Sequence, residues 1–111
     1  MRVWLDDLRP PPLGFDVHAR TADEAIALLK GGGVTLLSLD HDLGEPANGT
    51  GYAVARWIEE HAFRWSQGEP DGLPPLAWRI HSQNPVGRQN MTRALQNASR
   101  FWQAREDAGP A

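Results

Sequence analysis

The sequence predicts a small α/β domain built around a mostly parallel sheet, and three observations predict it. Short apolar runs alternate with helix-periodic stretches in the order β-loop-β-α-β-α-β-α. Alternation of that kind gives a layered fold with right-handed crossovers. The chain has 111 residues, enough for one core and too few for two. Polar groups also crowd the ends of three apolar runs, as Asp6-Asp7, Asp40-His41-Asp42 and His81-Ser82-Gln83-Asn84. The carboxyl ends of parallel strands are where such folds form ligand crevices.

Taken in order, Arg2-Val3-Trp4-Leu5 is the first strand. Pro10-Pro11-Pro12 then forbids a helix and favours an extended connection to a second strand over Phe15–Ala19. Thr21 and Glu24 have capping-box spacing, and Ala22, Ala25, Ile26 and Leu29 share a helical face that ends at Gly31-Gly32-Gly33. Val34–Leu39 is apolar, β-branched at its start and bounded by glycines, as expected of a buried strand. A loop from Gly44 to Gly49 precedes a second helix, with Val54, Ala55, Ile58, Ala62 and Trp65 on one face. Ser66–Pro75 is rich in glycine and proline and reads as a loop. Leu76–Ile80 is the last strand. Asn84 and Pro85 then start a helix whose apolar stripe is Met91, Ala94, Leu95, Ala98 and Trp102. The expected domain spans 1–102, with 103–111 a polar, fraying C-terminal tail.

Composition narrows the class. The net charge of −3 argues against a broad electrostatic nucleic-acid binder, though not against an enzyme that touches only the end of a nucleic acid. No cysteine is present, so disulfides and thiolate chemistry are excluded. No window reaches the roughly 18 apolar residues of a membrane span. The first residues enter a strand directly, so no signal peptide is expected, and a cytoplasmic location fits. Phosphate-binding GxxxxGK[ST], GxSxG, HExxH and GxGxxG motifs are absent.

The acids carry the chemistry. Asp6, Asp7 and Asp40, joined by Asp42, would crowd one crevice, and crowded carboxylates repel unless a cation neutralises them. All-oxygen ligands of this kind suit Mg²⁺ or Mn²⁺. The plainer alternative is that Asp6-Asp7 open a loop and Asp42 caps a turn. His41 and His81 each follow a strand and are candidates for general acid or base. His18 and His61 lie in elements that do not point to the crevice. Ser82, Asn84 and Asn90 offer neutral donors, and the amides after Pro85 form an anion site. Gly87 would let backbone approach a phosphate, and Arg9 and Arg88 would clamp it.

These residues resemble the receiver domain of two-component signalling, which has a flavodoxin-like fold. The resemblance implies that Asp6 and Asp7 hold Mg²⁺, that Asp40 is a ligand or a phosphoryl-accepting nucleophile, and that the Ser82 hydroxyl contacts phosphate. The chain departs from that pattern: the first receiver helix gives way to the proline connection, and the fifth strand with its lysine has no counterpart. The strings Leu5–Pro10, Ser38–Gly44 and His81–Gly87, followed by Asn90-Met91, resemble an offshoot, the cyclic-phosphate-processing receiver-like family. That resemblance implies a sheet order of 2-1-3-4 and a metal-dependent phosphoesterase acting on cyclic phosphates, for example at RNA or nucleotide ends. The expected partner is then a phosphate-bearing small molecule or an RNA end, with no membrane. The alternative is a degenerate receiver that binds a protein partner, phosphorylated on Asp40 or not at all.

Overall fold

Strand β1 (Arg2–Leu5) lies inside a four-stranded parallel sheet, between β2 (Val17–Ala19) and β3 (Leu36–Leu39), with β4 (Ala77–Ile80) outside β3. The order 2-1-3-4 is the one expected. The computed structural model describes residues 1–109. Helix α1 (Ala22–Gly31) links β2 to β3, α2 (Gly51–Ser66) links β3 to β4, and α3 (Pro85–Ala108) follows β4. The crossovers through α1 and α2 step the same way along the sheet, so their right-handedness puts both helices on one face. Helix α3 packs along α2.

The faces differ in composition because side chains alternate along a strand. Val3, Leu5, Leu37 and Leu39 point into the helix-covered core, joined by Ala19, Ile58, Met91, Leu95 and Trp102. Trp4, Leu36 and Ser38 point the other way. Among the described residues no helix lies on that second face; the 6–16 connection covers it in part. Phe15 meets Trp4 edge-on at 5.2 Å. Arg2 and Asp16 exchange two hydrogen bonds, Asp16 N to Arg2 O at 2.8 Å and Arg2 N to the Asp16 carboxylate at 2.7 Å.

Helix starts follow the sequence. Thr21 Oγ1 accepts from the Glu24 amide at 3.1 Å, while Glu24 reaches back one residue further than expected, to the Arg20 amide at 2.7 Å. Thr50 caps α2 through the Ala53 amide. Strands β2 and β3 are each two residues shorter than their apolar runs: Phe15-Asp16 and Val34-Thr35 stay outside the ladder. The largest difference is at the C-terminal end. Residues 103–108 continue α3 instead of fraying, because Arg105 stacks over Trp65 at 4.0 Å and donates to its carbonyl at 2.6 Å. The Trp102 indole donates to Leu73 O at 2.8 Å and pins the 67–76 loop to the helix. Among the described residues no helix is long and apolar enough to cross a membrane.

Candidate metal and phosphate site

Three residues are set by one device. Asp6, Asp40 and His81 are each the first residue after a strand, and each amide donates to the last carbonyl of the neighbouring strand. The bonds are Asp6 to Ala19 at 3.0 Å, Asp40 to Leu5 at 2.9 Å and His81 to Leu39 at 3.0 Å. Because Leu5, Leu39 and Ile80 are in register, the next row across the sheet is Asp6–Asp40–His81. Ligand atoms of Asp6, Asp7 and Asp40 lie within 4.8 Å of one another, as the sequence led us to expect.

The electrostatics fit a cation. Burial raises the Asp40 pKa, and the Asp6 charge raises it further, against the opposing effect of the His41 amide at 2.8 Å and the nearby Ser82 hydroxyl. Asp6 is itself buried, which would raise its pKa. The Arg9 and Leu8 amides at 2.8 and 2.9 Å, together with His81, outweigh burial and hold it below the ordinary value. One carboxylate thus stays ionised beside another that is destabilised by it, a conflict that a divalent cation with oxygen preference would relieve. Asp6, Asp7 and Asp40 are therefore a donor set that suits Mg²⁺ or Mn²⁺.

His81 is committed within the fold. Its ring stacks on Trp4 with centroids 3.7 Å apart and planes 5° from parallel. Nε2 lies 3.0 Å from Asp6 Oδ2, and Nδ1 lies 2.8 Å from Ser38 Oγ. Both nitrogens are engaged within the fold, so an acid or base step at His81 would have to break one of these two bonds. Burial pushes its pKa down. His41 keeps more freedom: Nδ1 pairs with Asp42 at 3.0 Å, and Nε2 has no protein hydrogen bond among the described residues.

Several other expected roles need revision. Asp42 is exposed, stands outside the group formed by Asp6, Asp7 and Asp40, and pairs with His41 and the Asn84 amide group. Asn84 Oδ1 caps α3 by accepting from Gly87 N at 2.9 Å, which commits it and that amide internally. Gly87 makes room for the His41 ring, not for a phosphate: a Cβ there would collide with the ring. Arg88 donates to the carbonyls of Ile80 and Ser82 at 3.3 and 3.1 Å, tying down the turn after β4. Asn90 lines a small groove of about 150 Å³ between α2 and α3, with Tyr52 and Arg56. Arg9 keeps a charge close enough to His81 to lower its pKa. Ser82 is buried and accepts from the Asn84 amide at 3.1 Å.

Sequence reasoning missed Ser38 and Trp4. The signal was strand parity: each lies two residues before an acid already singled out, hence on the same face.

Carboxylates at the strand ends of a 2-1-3-4 parallel sheet, with a hydroxyl residue after the last strand, define a receiver-like domain. Residues 1–97 match the family model described as the cyclic-phosphate processing receiver domain, and the chain belongs to that family. No curated protein matches it.

Proposed function

We propose that the protein is a metal-dependent phosphoesterase that opens or removes a cyclic phosphate on a nucleotide or RNA end. The observation that carries this reading is the cluster of Asp6, Asp7 and Asp40 at the strand carboxyl ends. Those three residues would hold Mg²⁺ or Mn²⁺, which when bound supplies charge stabilisation at the phosphoryl oxygens. His41 acts as the general base, its Nδ1–H donated to Asp42 so that the Nε2 lone pair can take a proton from the attacking water. The same group returns that proton to the leaving ribose oxygen. Arg9 adds positive charge near the site, and the Ser82 hydroxyl lies near Asp40. Leu8 and Val86 are exposed close in sequence to the acids and the α3 start, and offer apolar surface to a sugar or base.

The test is turnover of a short oligoribonucleotide ending in a 2′,3′-cyclic phosphate, with Mg²⁺, Mn²⁺ or EDTA. Metal-dependent ring opening that falls at least about a hundredfold in Asp40→Asn supports the reading. Undiminished rates in that variant sink it. No turnover with any metal, from folded protein, transfers the assignment to a receiver-like binding module.

A further inference from the structure

We infer that Ser38 is a positioning residue: its hydroxyl donates to His81 Nδ1 and holds the ring, protonated on Nε2, against the Asp6 carboxylate within the acid cluster. Ser38 sits in the middle of β3 and is 2% exposed. A hydroxyl in such a place needs a partner. Among the described residues the side-chain oxygen of Ser38 has one, His81 Nδ1 at 2.8 Å. On the opposite side of the ring the partner is Asp6 Oδ2 at 3.0 Å, and an ionised carboxylate can only accept. Nε2 therefore carries the proton, and in the neutral ring Nδ1 is the acceptor to which Ser38 donates.

The rest of the surroundings fixes the ring's placement. Trp4 holds its plane by stacking at 3.7 Å. The His81 amide bond to Leu39 O anchors its backbone. Asp6 Oδ1 is taken by the amides of Leu8 and Arg9 at 2.9 and 2.8 Å, so with His81 on Oδ2 the carboxylate is held by three donors. An ionised carboxylate has about four lone-pair directions, so one stays open on the Oδ2 side for a cation. Ser38 acts on that direction at two removes. An apolar residue in its place would leave Nδ1 without a donor. Asp6 would still keep the proton on Nε2, but the ring would lose the bond that holds its far side and, with it, the fixed direction of Nε2–H onto Oδ2.

The inference rests on the proposed reading only in treating Asp6 as a cation ligand; it does not require turnover. Its test begins with long-range ¹H–¹⁵N correlation spectra of the imidazoles in metal-free protein at alkaline pH, with His81→Gln used to assign the signal. Wild type and Ser38→Thr, which keeps the hydroxyl, should show the Nε2–H pattern with the Nδ1 resonance shifted by an accepted hydrogen bond, and Ser38→Ala the same tautomer with that shift lost. Mn²⁺ titration should then give affinity about tenfold weaker in Ser38→Ala, the lower end of the effect expected when support around a ligand is lost, with recovery in Ser38→Thr. An Nδ1–H pattern in wild type overturns the inference whatever the variants do. An unchanged Nδ1 shift in Ser38→Ala, or a changed shift with unchanged Mn²⁺ affinity, also overturns it. Wild type that binds no Mn²⁺ removes the cation reading along with the positioning role. Mn²⁺ binding with an Nδ1 shift insensitive to Ser38 removes the positioning role alone.

Discussion

The two faces of the sheet solve opposite problems with the same four strands. On the helix-covered face Leu5, Leu37 and Leu39 are fully buried in apolar surroundings, and burial there stabilises the fold. On the other face Trp4, Asp6, Ser38 and His81 are also largely buried, but as a hydrogen-bonded polar layer ending in crowded acids. Such a layer adds little net stability and is costly if any partner is missing. The lesson is that alternation along a strand lets one row of residues carry the core while its neighbours carry a site, with only the backbone shared.

That division can be broken at measurable places. Leu37→Ala should be the largest perturbation, costing about 3–4 kcal/mol in urea unfolding because it leaves a cavity in the apolar core. Mn²⁺ affinity should fall much less, at temperatures where the variant remains folded. Gly51→Ala should cost about 2–3 kcal/mol and, unlike Leu37→Ala, weaken Mn²⁺ binding. A Cβ there would run into the Asp40 carbonyl, which lies against the start of α2. Asn84→Ala should cost about 1 kcal/mol through loss of the α3 cap.

Asp40→Asn should give the smallest stability change and the opposite sign, a modest rise in Tm in EDTA. Since the folded pKa of Asp40 is raised above 3.8, the folded state binds its proton more tightly than the unfolded state. Wild-type stability is therefore highest with respect to this group at low pH and falls as pH rises through that window. The gain from Asp40→Asn should be complete above the raised pKa and vanish below the ordinary one. A gain independent of pH would mean that the acid cluster is not under electrostatic strain.

Much of the architecture was legible because local signals agreed with the tertiary outcome. Thr21 and Glu24 announced α1, the stripe from Met91 to Trp102 announced the buried face of α3, and Asp6, Asp7 and Asp40 announced the cluster. What failed depended on partners far along the chain. The continuation of α3 past Trp102 needs Trp65, and the space at Gly87 is explained only once His41 lies over it. Asp42 was grouped with the acids by charge, whereas the turn after β3 sends it toward His41 and Asn84. Ser38 was overlooked because an uncharged hydroxyl within an apolar run draws no notice until parity is applied.

The row Asp6–Asp40–His81 draws on the beginning, middle and later part of the chain, and no two of its strands are joined by a hairpin. Parallel pairings of this kind close long loops before they are rewarded, which makes them slow to form. The row is therefore complete only when β4 has docked beside β3. A nascent chain released before about residue 80 would carry two aspartates of the row without the histidine that orients one of them. Cation binding at full affinity would thus report completed assembly, because a form lacking β4 keeps the three acids but not the histidine that orients Asp6.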